Sequence, residues 1–224
     1  MKRVIIIILI LLVGGLGYAC WTSISSEISF NEEKAGREEA VKVRLLQIRD
    51  IEEAYKRIYG EYCGSWDDLI AYVKEGKVIE KTAQSGGVKD EDSKEEIQSD
   101  TIWFEDGAPG SVARKFEVSN PDSLCFIPVG NHAKMLLYAD SVTIESKVGE
   151  EVDWETVKVL EVRAAFNDYM DGLPEKKLTN ILNELKNNYK GLINYETEEQ
   201  DDDWFGLRIG DKNDGNNRNA GNWD

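Results

Sequence analysis

The sequence predicts an α+β protein carried by an N-terminal transmembrane helix. An amphipathic helix follows this anchor, and a small antiparallel sheet with one or two packed helices completes the fold. Three observations lead to this prediction: an uncharged apolar run opens the chain, a seven-residue apolar repeat follows it, and short runs rich in β-branched and aromatic residues occupy the second half. With 224 residues, the chain has room for one core and its appendages.

The anchor is the run 4–21, which follows Lys2 and Arg3 and is followed by no charge until Glu27. As a helix, such a run reaches about 27 to 35 Å, which matches a hydrocarbon core of roughly 30 Å. Positive charge before the run and excess acid after it place the N-terminus in the cytoplasm. We therefore expect a single-pass inner-membrane protein whose bulk, from about Ser23 onward, is periplasmic.

Two alternatives to a retained anchor stay open at this point. A basic start and an apolar core also describe a cleaved secretory signal. The pair Ala19 and Cys20 adds a lipoprotein interpretation, in which Cys20 would be acylated after cleavage. All three interpretations place the domain on the outer side of the inner membrane.

Charge and motif content argue against several classes of function. The chain has 27 Lys and Arg against 43 Asp and Glu, a net charge of −16, so nucleic acid is not an expected partner. His132 is the single histidine, which excludes multi-histidine metal sites, and it is expected on a surface turn. The sequence has no Gly-rich phosphate loop, nucleophile elbow or Cys-x-x-Cys pair. We therefore predict a non-enzyme with no catalytic, cofactor-binding or metal-binding residues.

The amphipathic helix is expected from about Glu32 to Tyr59. Its apolar residues recur mainly at seven-residue intervals, and Glu52 and Lys56 are expected as an i,i+4 pair on the outer face. This face either packs on the protein's own sheet or remains available for a neighbouring protein near the membrane. The candidate interaction face consists of Val41, Ile48, Ile51, Tyr55, Ile58 and Tyr62.

The helix ends are marked by residues with known capping preferences. Gly60 is expected as the glycine that follows the amphipathic helix, because glycine adopts a left-handed conformation without strain. Ser65 is the expected N-cap of a second helix, 66–74, whose acidic first turn suits the helix dipole and which ends at Gly76.

Patterning divides the rest of the chain into a loop, a sheet region and a tail. We expect strands at 124–129, 134–139, 141–145 and 156–164, a helix from 175 to about 189, and an edge strand at 205–210. Residues 85–106 and those from 211 onward are expected to be mobile. The predicted organisation is a transmembrane anchor (1–22), a helical segment (23–81), an acidic mobile loop (82–113), a sheet and helix domain (114–210) and a polar tail (211–224).

The cysteines offer one pairing outside the membrane. Cys63 and Cys125 could form a disulfide there, since Cys20 lies at the membrane edge. Two free buried thiols are the alternative.

Residues 44–62 resemble the exposed part of the long N-terminal helix in type IV pilin-like proteins and type II secretion pseudopilins. In those proteins a membrane helix continues into an amphipathic helix that ends at a Tyr-Gly-x-Tyr turn, as at Tyr59-Gly60-Glu61-Tyr62. The prepilin-peptidase signal of that family is absent from this chain. The resemblance implies a helix that leads from the membrane into a small sheet domain.

A second resemblance extends over nearly the whole chain. The segments 65–70, 73–74, 122–128, 206–210 and 219–224 are similar to those of an uncharacterised family of single-anchor envelope proteins of Gram-negative bacteria. That resemblance implies an anchored envelope protein and supplies no catalytic residues.

Together these observations predict a membrane-anchored, non-enzymatic envelope protein. Its expected role is a structural or interaction component of a pilus- or secretion-like assembly, with the inner membrane and other envelope proteins as partners. The alternative is an envelope lipoprotein with a substrate-binding or enzymatic role.

Overall fold

A computed structural model shows the fold and describes residues 2–76, 79–81, 99–101, 111–148, 151–189, 205–212 and 219–223. Within these ranges, helices and a three-stranded antiparallel sheet form one core, so the predicted α+β class is confirmed. The helices are α1 (Lys2–Tyr59), α2 (Trp66–Glu75), α3 (Val112–Lys115), α4 (Phe166–Tyr169) and α5 (Glu175–Tyr189). The strands are β1 (Ile79–Lys81), β2 (Ser99–Thr101), β3 (Leu136–Val148), β4 (Glu151–Ala165) and β5 (Gly206–Gly210).

Helix α1 is a single helix of 58 residues, about 87 Å long at ~1.5 Å per residue. The expected anchor and amphipathic helix are therefore continuous. The polar stretch between them stays helical because it contains no proline, and the Thr22 hydroxyl donates back to the carbonyls of Tyr18 and Ala19 at 3.1 and 3.0 Å. The helix ends where the sequence predicts, at Gly60, whose φ is +83° and whose N–H donates to Lys56 O at 2.8 Å.

Helix α2 also has the predicted ends. The Ser65 hydroxyl accepts from the Asp68 N–H at 3.5 Å, and Gly76 follows the last helical residue. Leu69 and Val73 are completely buried against the rest of the core. The short helix therefore covers part of the amphipathic half of α1.

The main sheet has the order β3-β4-β5, with both pairs antiparallel. In the register, Leu136 lies opposite Arg163 and Glu161 lies opposite Gly210. The predicted strands 134–139 and 141–145 merge into the single strand β3, and the run 156–164 lies within β4. The central strand β4 is buried from Val159 to Ala164.

The prediction of a strand at 124–129 is wrong. This stretch begins after a 3-10 turn (Pro121–Ser123), makes only the isolated bridge between Phe126 and Lys134, and contains Pro128, which has no N–H to donate. His132 is exposed at this turn, as predicted, with its Nδ1 3.0 Å from Ile127 O.

The predicted acidic loop 82–113, including most of the stretch 85–106 that is expected to be mobile, lies mostly outside the described residues. Inside the predicted loop, β2 pairs antiparallel with β1, with Glu80 opposite Asp100. The tail is described at 211–212 and 219–223. There the expectation of a mobile tail is wrong for 219–223, because these residues pair with β5 and Asn219 is buried.

The core forms where one stripe of α1 meets the sheet, α2, α4 and the segment 124–135. Four apolar residues of that stripe are completely buried, and they supply the helix side of the core. They are Val41, Leu45, Ile48 and Ile51.

The stripe supplies a matched test of the packing. Val41 is fully buried, whereas Val43, two residues away on α1, is 57% exposed. Val41→Ala removes two buried methyl groups and leaves a cavity, so we expect a loss of about 2 kcal/mol or more in the free energy of unfolding. Val43→Ala should change it by less than about 0.5 kcal/mol. Urea unfolding of the full chain in detergent micelles measures both, and equal losses would contradict this core.

Candidate functional site

The first half of α1 is exposed over a long stretch. All side chains from Leu9 to Ser29 are exposed, and the next residue, Phe30, is buried, at 7% exposure. This helix is long and apolar enough to cross a membrane by length and composition, with a mean hydropathy of 1.5 in its most apolar window. It is compatible with a transmembrane or signal-anchor helix.

The domain meets α1 at the end of this exposed stretch, where the start of α5 lies against the helix. The Lys177 ammonium lies 2.8 Å from a Glu27 carboxylate oxygen, donates to Ser26 O at 3.1 Å, and lies 4.7 Å from the centre of the Phe30 ring. Only five residues separate Ser26 from Trp21, which is about 8 Å along the helix axis. A domain anchored by this helix would therefore begin close to the membrane surface.

A second contact fixes α1 about two to three turns farther along. The Arg37 guanidinium donates to the carbonyls of Tyr169 and Asp171 at 3.2 and 2.7 Å, and its Nε donates to Glu33 at 2.9 Å. These carbonyls belong to the turn between α4 and α5. Together with Lys177, Arg37 attaches that turn to the helix as it leaves the exposed stretch.

The candidate interaction face proposed from the apolar repeat is largely inside the core. Val41, Ile48 and Ile51 are completely buried and Tyr62 is 9% exposed, while the other two residues, Tyr55 and Ile58, are partly buried against the same core. This face is therefore not free for a partner, and that interpretation is wrong. The sheet, α2, α4 and the segment 124–135 contribute the other buried residues of the core that covers it.

Glu52 belongs to the same buried stripe, which corrects its expected place on the outer face. Its side chain has no exposed surface, and one carboxyl oxygen accepts from the Cys63 N–H at 2.8 Å. Burial raises the pKa of Glu52 to about 8, so the carboxyl is neutral at pH 7. A signal was present in the sequence: Glu52 is four residues after Ile48 and seven after Leu45, which places it on the buried side.

The other buried carboxylate has charged partners. Glu161, 3% exposed on β4, forms ion pairs with Arg163 and with Arg208, the latter at 3.3 Å, and accepts from the Lys212 N–H at 3.2 Å. Two guanidinium groups compensate for the loss of hydration of this carboxylate. Its role is therefore to join β4 to β5, and the sequence analysis did not single it out.

All three cysteines are free thiols in the structure, so the bridge considered between Cys63 and Cys125 is not formed here. Both are buried, and their Sγ atoms contact the carbonyls of Ser65 and Asp122 at 3.2 and 3.7 Å. Burial raises the pKa of each thiol above its usual value. Protonated thiols are poor nucleophiles, so these two residues are suited to packing.

One groove lies between α1, α4, α5 and β5, with a volume of about 300 Å³. An ion pair between Lys34 and Glu38 at 2.9 Å forms its polar side. The apolar residues that line it are Phe166, Tyr169, Ile181, Leu185, Phe205 and Leu207.

Comparison of the chain with protein-family models, with curated proteins and with solved structures returned no match. The pilin-like and envelope-family resemblances therefore remain predictions from the residues quoted above.

The Glu52 carboxyl predicts a specific pH dependence of stability. Its pKa is about 8 in the folded chain against 4.5 for an ordinary glutamate, so folding favours the protonated form. This contribution is complete below about pH 4.5 and is lost as the pH rises through about 8. We expect the free energy of unfolding to fall by a few kcal/mol, at order of magnitude, over this window.

Glu52→Gln keeps an acceptor for the Cys63 N–H and removes the titrating group, so it should flatten the pH dependence. Glu39→Gln, at an exposed position on the same helix, should leave it intact. The measurement is the thermal unfolding midpoint of each variant from pH 5 to pH 9. If the midpoint falls with pH equally in Glu52→Gln and in the unmodified chain, the pH dependence does not come from Glu52.

The buried thiols make a prediction about modification. A water-soluble maleimide should leave Cys63 and Cys125 unmodified in the folded chain and modify both after denaturation without reductant, because both are free. Mass spectrometry of protein isolated from membranes counts the adducts. If both residues react only after a reductant is added, the disulfide alternative is correct.

Proposed function

We propose that this protein is a membrane-anchored, non-enzymatic envelope component that presents its domain at the outer surface of the inner membrane for a structural or interaction role in a pilus- or secretion-like assembly. The observation that carries the proposal is the unbroken α1, exposed from Leu9 to Ser29 and packed into the domain from Phe30 onward. A helix of this kind rigidly couples a domain to a bilayer. The charge order around the apolar run supports an N-terminus in the cytoplasm.

The part of α1 just beyond the apolar run supports the interaction role. Trp21, Ile24 and Ile28 are 73%, 61% and 53% exposed, and their spacing of three and four residues places them on one side of the helix. The Lys177 contact lies at Ser26, Glu27 and Phe30, on a different side. An apolar stripe that continues above the bilayer and points away from its own domain is suited to another protein's helix.

The titratable groups of the domain support a non-enzymatic role. The buried Glu52 is enclosed by the core, and the buried thiols of Cys63 and Cys125 are protonated. Each of these groups bonds to the protein's own backbone.

A binding role is the second candidate, and the groove favours it. Its volume of about 300 Å³ is at the lower end of ligand-sized sites, and aromatic side chains line it. In this case Cys20, exposed in the structure, would be the acylated first residue of a mature lipoprotein.

Photo-cross-linking in native membranes tests the assembly role. A photoreactive amino acid at Ile28 should yield a discrete adduct with another protein. The same group at Ser29, which is exposed but turned by about 100° around the helix, should yield much less. Equal labelling at both positions, or lipid adducts only, would contradict an interface on this stripe. The mass of the mature chain serves as a control, because an intact N-terminus supports the anchor and an acylated Cys20 supports the second candidate.

A further inference from the structure

One side of α1 carries uncharged residues at a regular spacing that runs from the apolar segment into the polar segment above it. Successive members of this set are three and four residues apart in strict alternation, which is the spacing of the contact positions in a two-stranded coiled coil. All of them are exposed, and together they extend about 26 Å along the helix. This outer stripe consists of Gly14, Gly17, Trp21, Ile24, Ile28 and Asn31.

The domain is attached on the opposite side of the helix. Lys177 contacts α1 at Ser26 and Phe30, and a rotation of 100° per residue places both of these about 160° from Ile28. Arg37, which donates to the turn after α4, lies about 180° from Ile28 on the same basis. Two helices can therefore meet along their outer stripes while each carries its domain on the far side.

The two glycines form a recess at the membrane end of the outer stripe. A Cβ atom added at Gly14 or Gly17 would meet no other atom within 4 Å. Small residues of this kind let two helices approach closely in a bilayer, where van der Waals packing drives helix association. Above them, Trp21, Ile24 and Ile28 supply apolar contacts at the same spacing. The stripe is thus suited to one helix that follows it out of the membrane.

The polar residues at the upper end of the stripe favour a second copy of this chain as that helix. In a parallel, in-register pair, Asn31 lies opposite Asn31 of the other copy, and an amide group both donates and accepts hydrogen bonds. A single asparagine at such a contact position is known to fix the register of coiled coils. An apolar helix of another protein would leave this amide without a partner.

Charges beside the stripe are complementary in the same arrangement. Residues five apart at the flanking positions face each other across a parallel coiled coil, which brings Lys34 of one copy to Glu39 of the other. Glu39 is exposed, and the Lys34 ammonium, which pairs with Glu38 at 2.9 Å, has further protons to donate. The like-charged pair Glu27 and Glu32 is also brought together, but Lys177 already neutralises Glu27 at 2.8 Å.

We propose that the outer stripe is the interface of a parallel, in-register dimer of this chain. The inference rests on the proposed function, because it names the partner that binds the exposed side of α1. The unit that takes part in the assembly is then a pair of domains held above the membrane by a two-stranded coiled coil.

Cysteine cross-linking in native membranes tests this interface in the full chain. Cys20 is replaced by serine, Cys63 and Cys125 are buried, and one cysteine is introduced by Ile28→Cys. Brief oxidation with copper phenanthroline should give a disulfide-linked dimer with twice the mass of the 25.3 kDa chain. The matched variant Ser29→Cys, exposed and turned by about 100° around the helix, should lose this product.

Charge reversal tests the register with a readout that a folding defect would not produce. Two differently tagged copies, one with Glu39→Lys and one with Lys34→Glu, are expressed together on the Ile28→Cys background. Each copy repels its own kind and attracts the other, so the mixed dimer should exceed its statistical share by about threefold or more, since each exposed pair contributes a modest factor. A statistical distribution of the three dimers overturns the in-register arrangement.

The remaining outcomes separate this inference from the proposed function. Equal dimer formation by Ser29→Cys, or no dimer from Ile28→Cys, overturns the dimer. If a photoreactive group at Ile28 links only to a different protein, the second copy is wrong and the interaction role is retained. If the mature chain lacks the residues before Cys20, both proposals fail.

Discussion

Helix α1 is the constraint on which the rest of the structure depends, because one unbroken helix is exposed in its first half and buries one stripe of its second half in the core. The helix continues without a break past Phe30, where the buried part begins. Helical geometry therefore fixes the direction in which the exposed residues Trp21, Ile24 and Ile28 face relative to the domain. The domain is built around the second half. Any partner that binds the first half would therefore contact a surface whose orientation to the sheet is fixed.

Polar side chains of α1 also help to organise the domain. Long segments between the helices and the sheet have little regular structure, and their backbone groups need partners when they are buried. Side chains from α1 supply these partners to the turns at 63, 116, 123 and 169–171. The side chains are Arg37, Arg44, Gln47 and Glu52. This explains why a heptad-like helix with Arg44 near its apolar positions still belongs inside a domain.

Local signals in the sequence were sufficient for the C-terminal end of α1 and both ends of α2, but they did not predict the short helices α3 and α4 or the burial of Glu52. Gly60, Ser65 and Gly76 mark helix ends through backbone chemistry that acts within a few residues, and the structure confirms all three. Glu52 was misplaced because a surface i,i+4 pair with Lys56 was assumed, whereas the Lys56 ammonium instead contacts the Tyr62 hydroxyl at 3.1 Å. The run 124–129 has the residue types of a strand and lacks a neighbour to pair with along its length.

The sequence by itself determined the α+β class, the spanning-length apolar helix, the end of α1 at Gly60, the ends of α2 and the alternation that makes β4 a strand, because each depends on local periodicity or capping. Tertiary structure alone decided which face of α1 is covered, that Glu52 is enclosed, and that Asn219–Trp223 closes the edge of β5. The physical reason is distance along the chain. Asn219 meets Glu53 across 166 residues, and no local pattern encodes that hydrogen bond.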